Sequence, residues 1–427
     1  MRSRIFAFTA LLSICCSLYG YSQNTQPSNN KIKVFIDCNT VYCDKDFIHT
    51  EITLVDFLLD NQAADVHVLV TNQSTGSGGN QYQLIFFGQN GFKDLTDTLR
   101  FNTGPTATQF EVRDQLVKYI KLGLVPFITR TSYSKDIEIN MKKAETAASK
   151  KEAAAATKDP WKSWVFRFGI NGNISADAIY KSEQFNGSFS VSKVTDKVKT
   201  GVDINDGKNR TSYQLTDDNG NKQKLIIKNN NYSFSHYYVA SINDHWSTGY
   251  QGGVSRSTFS NNKFRTSFET GIEYNIYPYK QVNTKFFTFG YLLDVRHNSY
   301  FDTTLFDKTR ETLFGQTLQT KLSINQKWGT ISIGMKYHNF FDNWKHLSLS
   351  VNSGIDVRIT GGLSFNIYTF AELSHDQIYL PKGGASQQEI LTRQRQIASG
   401  YNFFTFFGLN YRFGSKLNNY VNPRFND

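Results

Sequence analysis

The side chains that could do chemistry in this chain stand mostly alone. His236, His338 and His375 have no nucleophile motif beside them, so a Ser-His hydrolase, which needs nucleophile, base and orienting group in contact, finds no support. These histidines read as loop, lumen or interface residues. Glu269 and Glu273 lie four apart on one strand face, about 13 Å at ~3.3 Å per residue. That exceeds the ~5 to 9.5 Å over which two carboxylates work as a pair. Gly76-Ser77-Gly78-Gly79 has the composition of a phosphate loop. It falls between two strands, not before a helix, and lacks the Lys-Ser/Thr sequel, so it reads as a hairpin loop. Cys38 and Cys43 are flanked by Asp37 and Asp44, too few ligands for a metal site. In an oxidising compartment they are the candidate for a local disulfide. No catalytic residue, metal or cofactor is expected.

What remains is a set of charges on one side of long alternating segments. They are Arg167, Arg265, Arg296, Lys321, Lys336, Arg358 and Arg412, with Glu269, Glu273, Asp294, Asp356 and Glu372. Seven positive against five negative would line a balanced polar interior with weak anion preference if it is open. Tyr368, Phe370, Phe404 and Phe406 fall on the same side and would help fill it. About 12 strands is near the size at which side chains still occupy much of a barrel's bore.

The elements that carry these charges follow from composition and periodicity. The chain has 427 residues, with 35 Phe, 23 Tyr and 5 Trp but only 7 Pro. That is too aromatic for a disordered chain and too poor in proline for a fibrous one. Mean hydropathy is −0.44 and no run of 18 apolar residues occurs, which excludes a helical membrane protein. Soluble all-β proteins and outer-membrane barrels remain. From Trp161 onward, period-2 alternation persists to residue 414. Leu347 to Ile359 sets Leu347, Leu349, Val351, Ile355, Val357 and Ile359 on one face, and Ser348, Ser350, Asn352, Gly354, Asp356 and Arg358 on the other. Phe264 to Ile276 and Tyr401 to Gly414 alternate likewise. Sandwich strands alternate too, but are usually about 5–6 residues long. These run 12 or more, and a tilted strand needs about 9 to 11 residues to cross a bilayer.

Twelve strands are expected near 164–178, 184–195, 198–216, 222–242, 246–259, 262–277, 285–301, 311–326, 330–341, 346–359, 362–376 and 400–414. An even count brings both ends out on one side, where alternate connections should be short. The other side holds the long polar connections 302–310 and 377–399. Trp161, Trp164, Tyr277, Tyr279, Trp328, Tyr411 and Phe413 gather at the short-turn end as an interfacial girdle. The fourth strand loses its alternation near Asn229 to Asn231, which leaves the face of His236 open.

The N-terminus pairs Arg2 and Arg4 with an apolar run from Ile5 to Leu18, then Gly20 and Ser22 at −3 and −1, a secretory signal over residues 1–22. Residues 31–135 read as a small α/β domain. Lys31–Asp37 is a strand, Phe47–Leu59 has helical spacing, Asp65–Thr71 is Val-rich and reads as a buried strand, Gln81–Phe87 is another strand, and Thr108 with Glu111 opens a helix ending near Gly123. Residues 136–160 form an Ala/Lys/Glu-rich spacer, ~27 Å long if its core is helical. Residues 161–414 are the barrel and 415–427 a periplasmic tail. The fold class is thus mostly β, a 12-stranded antiparallel transmembrane β-barrel preceded by a small α/β periplasmic domain.

The alternation and the ending Tyr411-Arg412-Phe413-Gly414 resemble Gram-negative outer-membrane β-barrels, whose last strand ends in an aromatic recognised by the barrel-insertion machinery. The Ser/Asn/Gly-rich strands with short turns are most similar to the salt-induced outer-membrane protein family, whose function is poorly defined. The chain departs from the pattern by continuing 13 residues past Gly414. The resemblance implies an outer-membrane location with the N-terminal domain in the periplasm, and assigns no functional residue. Net charge is +11. An exported chain has no nucleic-acid partner. The charge suits anionic lipopolysaccharide, beside the outer-membrane lipid itself. Three functions follow as expectations. One is a narrow channel or transporter for small polar solutes. Another is an anchor whose residues 31–135 bind a periplasmic or cell-wall component. The third is a lipid-acting barrel enzyme.

Overall fold

The computed structural model describes residues 31–38, 41–76, 78–138, 159–216, 220, 222–360, 362–383 and 400–413. The expected signal, the core of the spacer, the middle of the 377–399 connection and the tail lie outside them. Residues 31–138 build a mixed sheet. Strands β1 (Ile32–Asp37), β2 (Val55–Phe57), β3 (Val66–Ser74), β4 (Asn80–Gly88) and β5 (Thr96–Thr103) lie in the order β2-β1-β3-β4-β5. β1 runs parallel to β2 and β3, and the other pairs are antiparallel. Helix α1 (Lys45–Glu51) starts where the Asp44 carboxylate accepts the Phe47 N–H at 3.0 Å. Helix α2 (Gln109–Ile128) starts at a capping box in which Thr108 and Glu111 bond each other's backbone. It runs on past the expected end at Gly123, where the absence of a Cβ makes room for the Phe86 ring.

The expected helix over Phe47–Leu59 holds only to Glu51. Val55–Phe57 is an edge strand paired with Ile32–Val34, and it buries Val55 and Phe57. Short apolar runs fit either element, and the β-branched residues Ile52, Thr53 and Val55 favour extension. Strand β5 was not foreseen, because Thr, Asp, Arg and Asn dominate it. One face of the sheet, with Val34, Ile36, Val66, Val68, Val70, Leu84 and Phe86, packs beneath Leu116, Ile120, Leu124 and Phe127 of α2. Each fully buried side chain of this size contributes about 1.5–3 kcal/mol.

From Trp164 the chain is a meander of twelve antiparallel strands. They are β6 (Trp164–Ala176), β7 (Tyr180–Val194), β8 (Val198–Thr216), β9 (Lys222–Ser241), β10 (Trp246–Ser257), β11 (Asn262–Asn275), β12 (Lys285–Tyr300), β13 (Arg310–Gln326), β14 (Gly329–Phe340), β15 (Leu347–Thr360), β16 (Leu363–Ser374) and β17 (Tyr401–Tyr411). Each pairs with its sequence neighbours, and among the described residues no pair joins β6 to β17. The register of β9 against β8 runs unbroken through Asn229–Asn231. The lapse in alternation there is one of composition, without a bulge.

The register sorts side chains into two faces. Phe168, Phe189, Ile204, Phe234 and Val254 stand side by side across β6 to β10. One step along, Arg167, Ser190, Asp203, Ser235, Gly253, Ser267 and Arg296 do the same on the opposite face from β6 to β12. The apolar residues are the uncovered ones: Phe168 is 75 % exposed, Ile170 73 % and Phe268 44 %. The sheet also curls. Lys199 of β8 and Lys336 of β14 line one cavity of about 500 Å³ on the polar face.

Candidate functional site: the polar face and its cap

Strand alternation carries all twelve charged candidates to the polar face. Arg167 starts on β6 and Arg412 follows β17. Between them lie Arg265, Glu269 and Glu273 on β11, Asp294 and Arg296 on β12, Lys321 on β13, Lys336 on β14, Asp356 and Arg358 on β15, and Glu372 on β16. Few of them meet. Arg296 Nε lies 2.7 Å from Asp294 Oδ1, and His338 Nε2 lies 3.1 Å from Asp294 Oδ2. Gly315 lies opposite Asp294, and a Cβ there would crowd both Asp294 and His338. Arg265 bonds the neutral Asn298, and Glu273 accepts from the Tyr279 hydroxyl at 3.1 Å. Tyr279 therefore does not join the interfacial girdle expected of it. The turn that holds it aims the ring inward, where its hydroxyl also bonds Ser247 at 2.7 Å. His236 lies on the apolar face, 5.6 Å from the Tyr250 ring. Tyr368, Phe370, Phe404 and Phe406 form a two-by-two block on the polar face. They stay exposed, however, and do not fill the interior.

The end of this face that holds the short turns is covered by the N-terminal unit. The sheet of that unit has a second face, with Phe35 and Asp37 on β1, His67, Leu69 and Thr71 on β3, and Gln83, Ile85 and Phe87 on β4. Asp37, His67, Leu69, Thr71, Gln83 and Ile85 are buried although neither helix lies over them. The cover comes from β11 to β15. Arg358 grips Asp37 through both guanidinium nitrogens, at 2.6 and 2.7 Å, and lies over the Phe35 ring at 5.1 Å. Arg358 also donates to the Lys327 carbonyl at 3.0 Å. Lys327 in turn sits 4.1 Å from the Phe87 ring, and Asn283 donates to Gln83 at 2.7 Å.

On the far side of the same unit, the loop between β3 and β4 reaches β6 and β7. Gly78 has φ 86°, a left-handed value, and presses on the Arg167 guanidinium where a Cβ would overlap it. Gly76 and Gly78 thus dock this unit against β6 and β7. One small unit touches both β6 and β15, nine strand spacings apart. In a flat sheet these would be ~43 Å apart at ~4.8 Å each. The twelve strands curve around the cap.

The centre of the contact is electrostatic. Burial pushes the Asp37 carboxyl up, but hydrogen bonds from His67 (Nε2 to Oδ2, 3.2 Å) and Arg358 outweigh it and hold its pKa at about 2. Burial lowers the pKa of His67 by more than its bond to Asp37 raises it, so the ring is neutral near pH 7. Burial also lowers that of Lys327. A neutral His67 donates its Nε2–H to Asp37, wedged between Phe35 at 5.1 Å and Phe87 at 6.1 Å. Cys38, next to Asp37, is joined to Cys43 by a disulfide that ties the end of β1 to the start of α1.

Sequence reasoning named Arg358 but missed its partner and missed His67. The signal available was β3 itself. Val66–Thr71 is buried at every position, where a strand covered on one face alternates. At the opposite end of the twelve strands, residues after β16 fold back over the polar face. Ile378 and Leu380 pack on Leu313 and Phe340, and Asn261 donates to the Tyr379 carbonyl at 2.9 Å.

No metal-binding group of three or more His, Cys, Asp or Glu occurs among the described residues. No family model matches the chain, and no curated protein sequence matches it. The resemblance to the salt-induced outer-membrane protein family thus gains no support. Among solved structures, the chain is similar to the translocator domain of the autotransporter NalP from Neisseria meningitidis. The two share 10% identity over 62% of this chain and 93% of that one, with a TM-score of 0.26. So low a score leaves the architecture to rest on this chain's own strands and register.

Proposed function

We propose that residues 161–414 cross the outer membrane as a closed β-barrel, and that the N-terminal unit is a periplasmic plug on a narrow passage for small polar solutes. One observation carries this: large apolar side chains such as Phe168, Ile170, Phe268 and Phe407 stand exposed on one face, while the face richer in Ser, Asn and charge curls around the cavities. In water that arrangement is inverted. In hydrocarbon it is the stable one, and strands there must close so that no edge is left unpaired. The plug follows from the second face of the N-terminal sheet, whose burial depends on the barrel end. The ion pair at its centre gives it one seating, because removing either partner strands a buried charge at a cost of about 3–5 kcal/mol.

Planar-bilayer recording tests the passage. The whole chain should give rare or no conductance steps, and Arg358→Ala should open steps well above leak. Silence in both, with correct insertion, would remove the passage and leave the plug as a structural cap. In that case the remaining role is an envelope anchor, presented through the helical side of the same unit.

A further inference from the structure

We propose that the end of the polar face remote from the plug holds a binding site for an oxyanion, the phosphate or carboxylate group of a small solute, centred on Arg265 and Arg296. The site deepens the passage reading, since it names the class of solute that enters.

A pocket of about 390 Å³ spans β9 to β12 on the polar face, and its wall carries Arg265 and Arg296, the carboxylates of Glu269 and Asp294, and the serines Ser235, Ser255 and Ser267. Ser267 lies opposite Arg296 and Asn298 opposite Arg265, so the two arginines are diagonal neighbours. That geometry holds like charges roughly 7–8 Å apart at the backbone. Arg296 is neutralised by Asp294 and pinned by His338 at 3.0 Å. Arg265 is different. Its only hydrogen bond among the described residues runs from Nε to the neutral Asn298 Oδ1, at 2.8 Å, and it makes no ion pair there. Its terminal nitrogens make no hydrogen bond among the described residues, and the residue lines the pocket.

Glu269 lines the same pocket from four residues along the strand, about 13 Å away in an extended strand, and makes no ion pair with Arg265. The Asp376 carboxylate attracts Arg265 but forms no ion pair with it, so this part-buried guanidinium beside a second one is a costly arrangement that an anion relieves. A guanidinium fork matches two oxygens of a carboxylate or phosphate, and serine hydroxyls supply donors for a third. The other lumen cations lack this setting: Lys321 and Lys336 are exposed and can be screened by water.

The test is binding to the whole chain in detergent micelles, by calorimetric titration with inorganic phosphate and, separately, acetate. Saturable binding of either is expected, and which one binds tells phosphate from carboxylate. Arg265→Gln should weaken it by about tenfold or more, in keeping with loss of charge-assisted hydrogen bonds. Lys321→Gln should leave it unchanged. If Arg265→Gln fails to fold, Arg265→Lys keeps the charge, removes the fork and should still weaken binding. No saturable binding of either anion, or equal binding by the Arg265 variants, overturns the site. Because the readout is binding, a silent bilayer recording would sink the passage without touching the site, and the converse also holds.

Discussion

The two parts of this chain use opposite rules for their apolar residues. In the N-terminal unit Phe86 and Phe127 are almost fully buried between sheet and helix, as in any protein folded in water. In the twelve-stranded part Phe168, Phe268 and Phe407 stand at 75 %, 44 % and 69 % exposure, and the opposite face carries most of the Ser, Asn, Gly and charge. The same side-chain alternation builds both, so the difference reports the solvent around each part. Where the two parts meet, the rules change again. Leu69 and Ile85 are buried there, but the contact is centred on an ion pair with a histidine.

Breaking each rule in turn sharpens the contrast. The largest effect is expected for Phe127→Ala, which should cost the N-terminal unit about 3–5 kcal/mol by transfer and cavity terms, read by urea unfolding. The heat-modifiable gel mobility of the twelve-stranded part should be unaffected. Asp37→Ala should cost about 3–5 kcal/mol of docking, because Arg358 is left buried and unpaired. Limited proteolysis of the N-terminal unit should accelerate, and Asp37→Ala with Arg358→Ala should restore part of the protection. If the single and double variants are cut at the same rate, the ion pair does not hold the cap.

Phe268→Arg should cost about 2–4 kcal/mol in vesicle unfolding experiments, and Ser267→Arg, one residue away on the other face, much less. The smallest effect comes from pH. Asp37 is held below its ordinary value, so its contribution, on the order of 2 kcal/mol, is present above about pH 4 and is lost as pH falls toward 2. His67 is also lowered. The unfolded ring then takes up a proton near pH 6.5 that the folded one refuses, and stability begins to decline below that value. Cap docking followed by proteolysis should therefore weaken in two stages on acidification. The His67 stage should vanish in His67→Phe.

Much of this was legible from the residues. All twelve strands were placed by alternation, because a period of 2 held over 11 or more residues has few other causes, and the capping box at Thr108 and Glu111 marked the start of α2. The lapse at Asn229–Asn231 leaves the face of His236 open in the sequence, because side-chain identity is only a proxy for register, which the backbone ladder with β8 fixes independently. The girdle expected at Tyr279 fails because sequence position gives the end of the sheet but not the direction of a turn's side chain. Asp37 and Arg358 are separated by 321 residues, and no local pattern links them. The trace they leave is on β3, whose unbroken burial requires a cover on both faces.

The central claim is that the apolar face meets hydrocarbon and the polar face an aqueous interior. Nitroxide labels at Ser267 and Phe268, in whole protein reconstituted into lipid vesicles, test it residue against neighbour. The label at position 268 should be relaxed by oxygen and shielded from a water-soluble nickel complex, and the label at 267 should show the reverse. Equal access of the nickel complex to both positions would contradict the account.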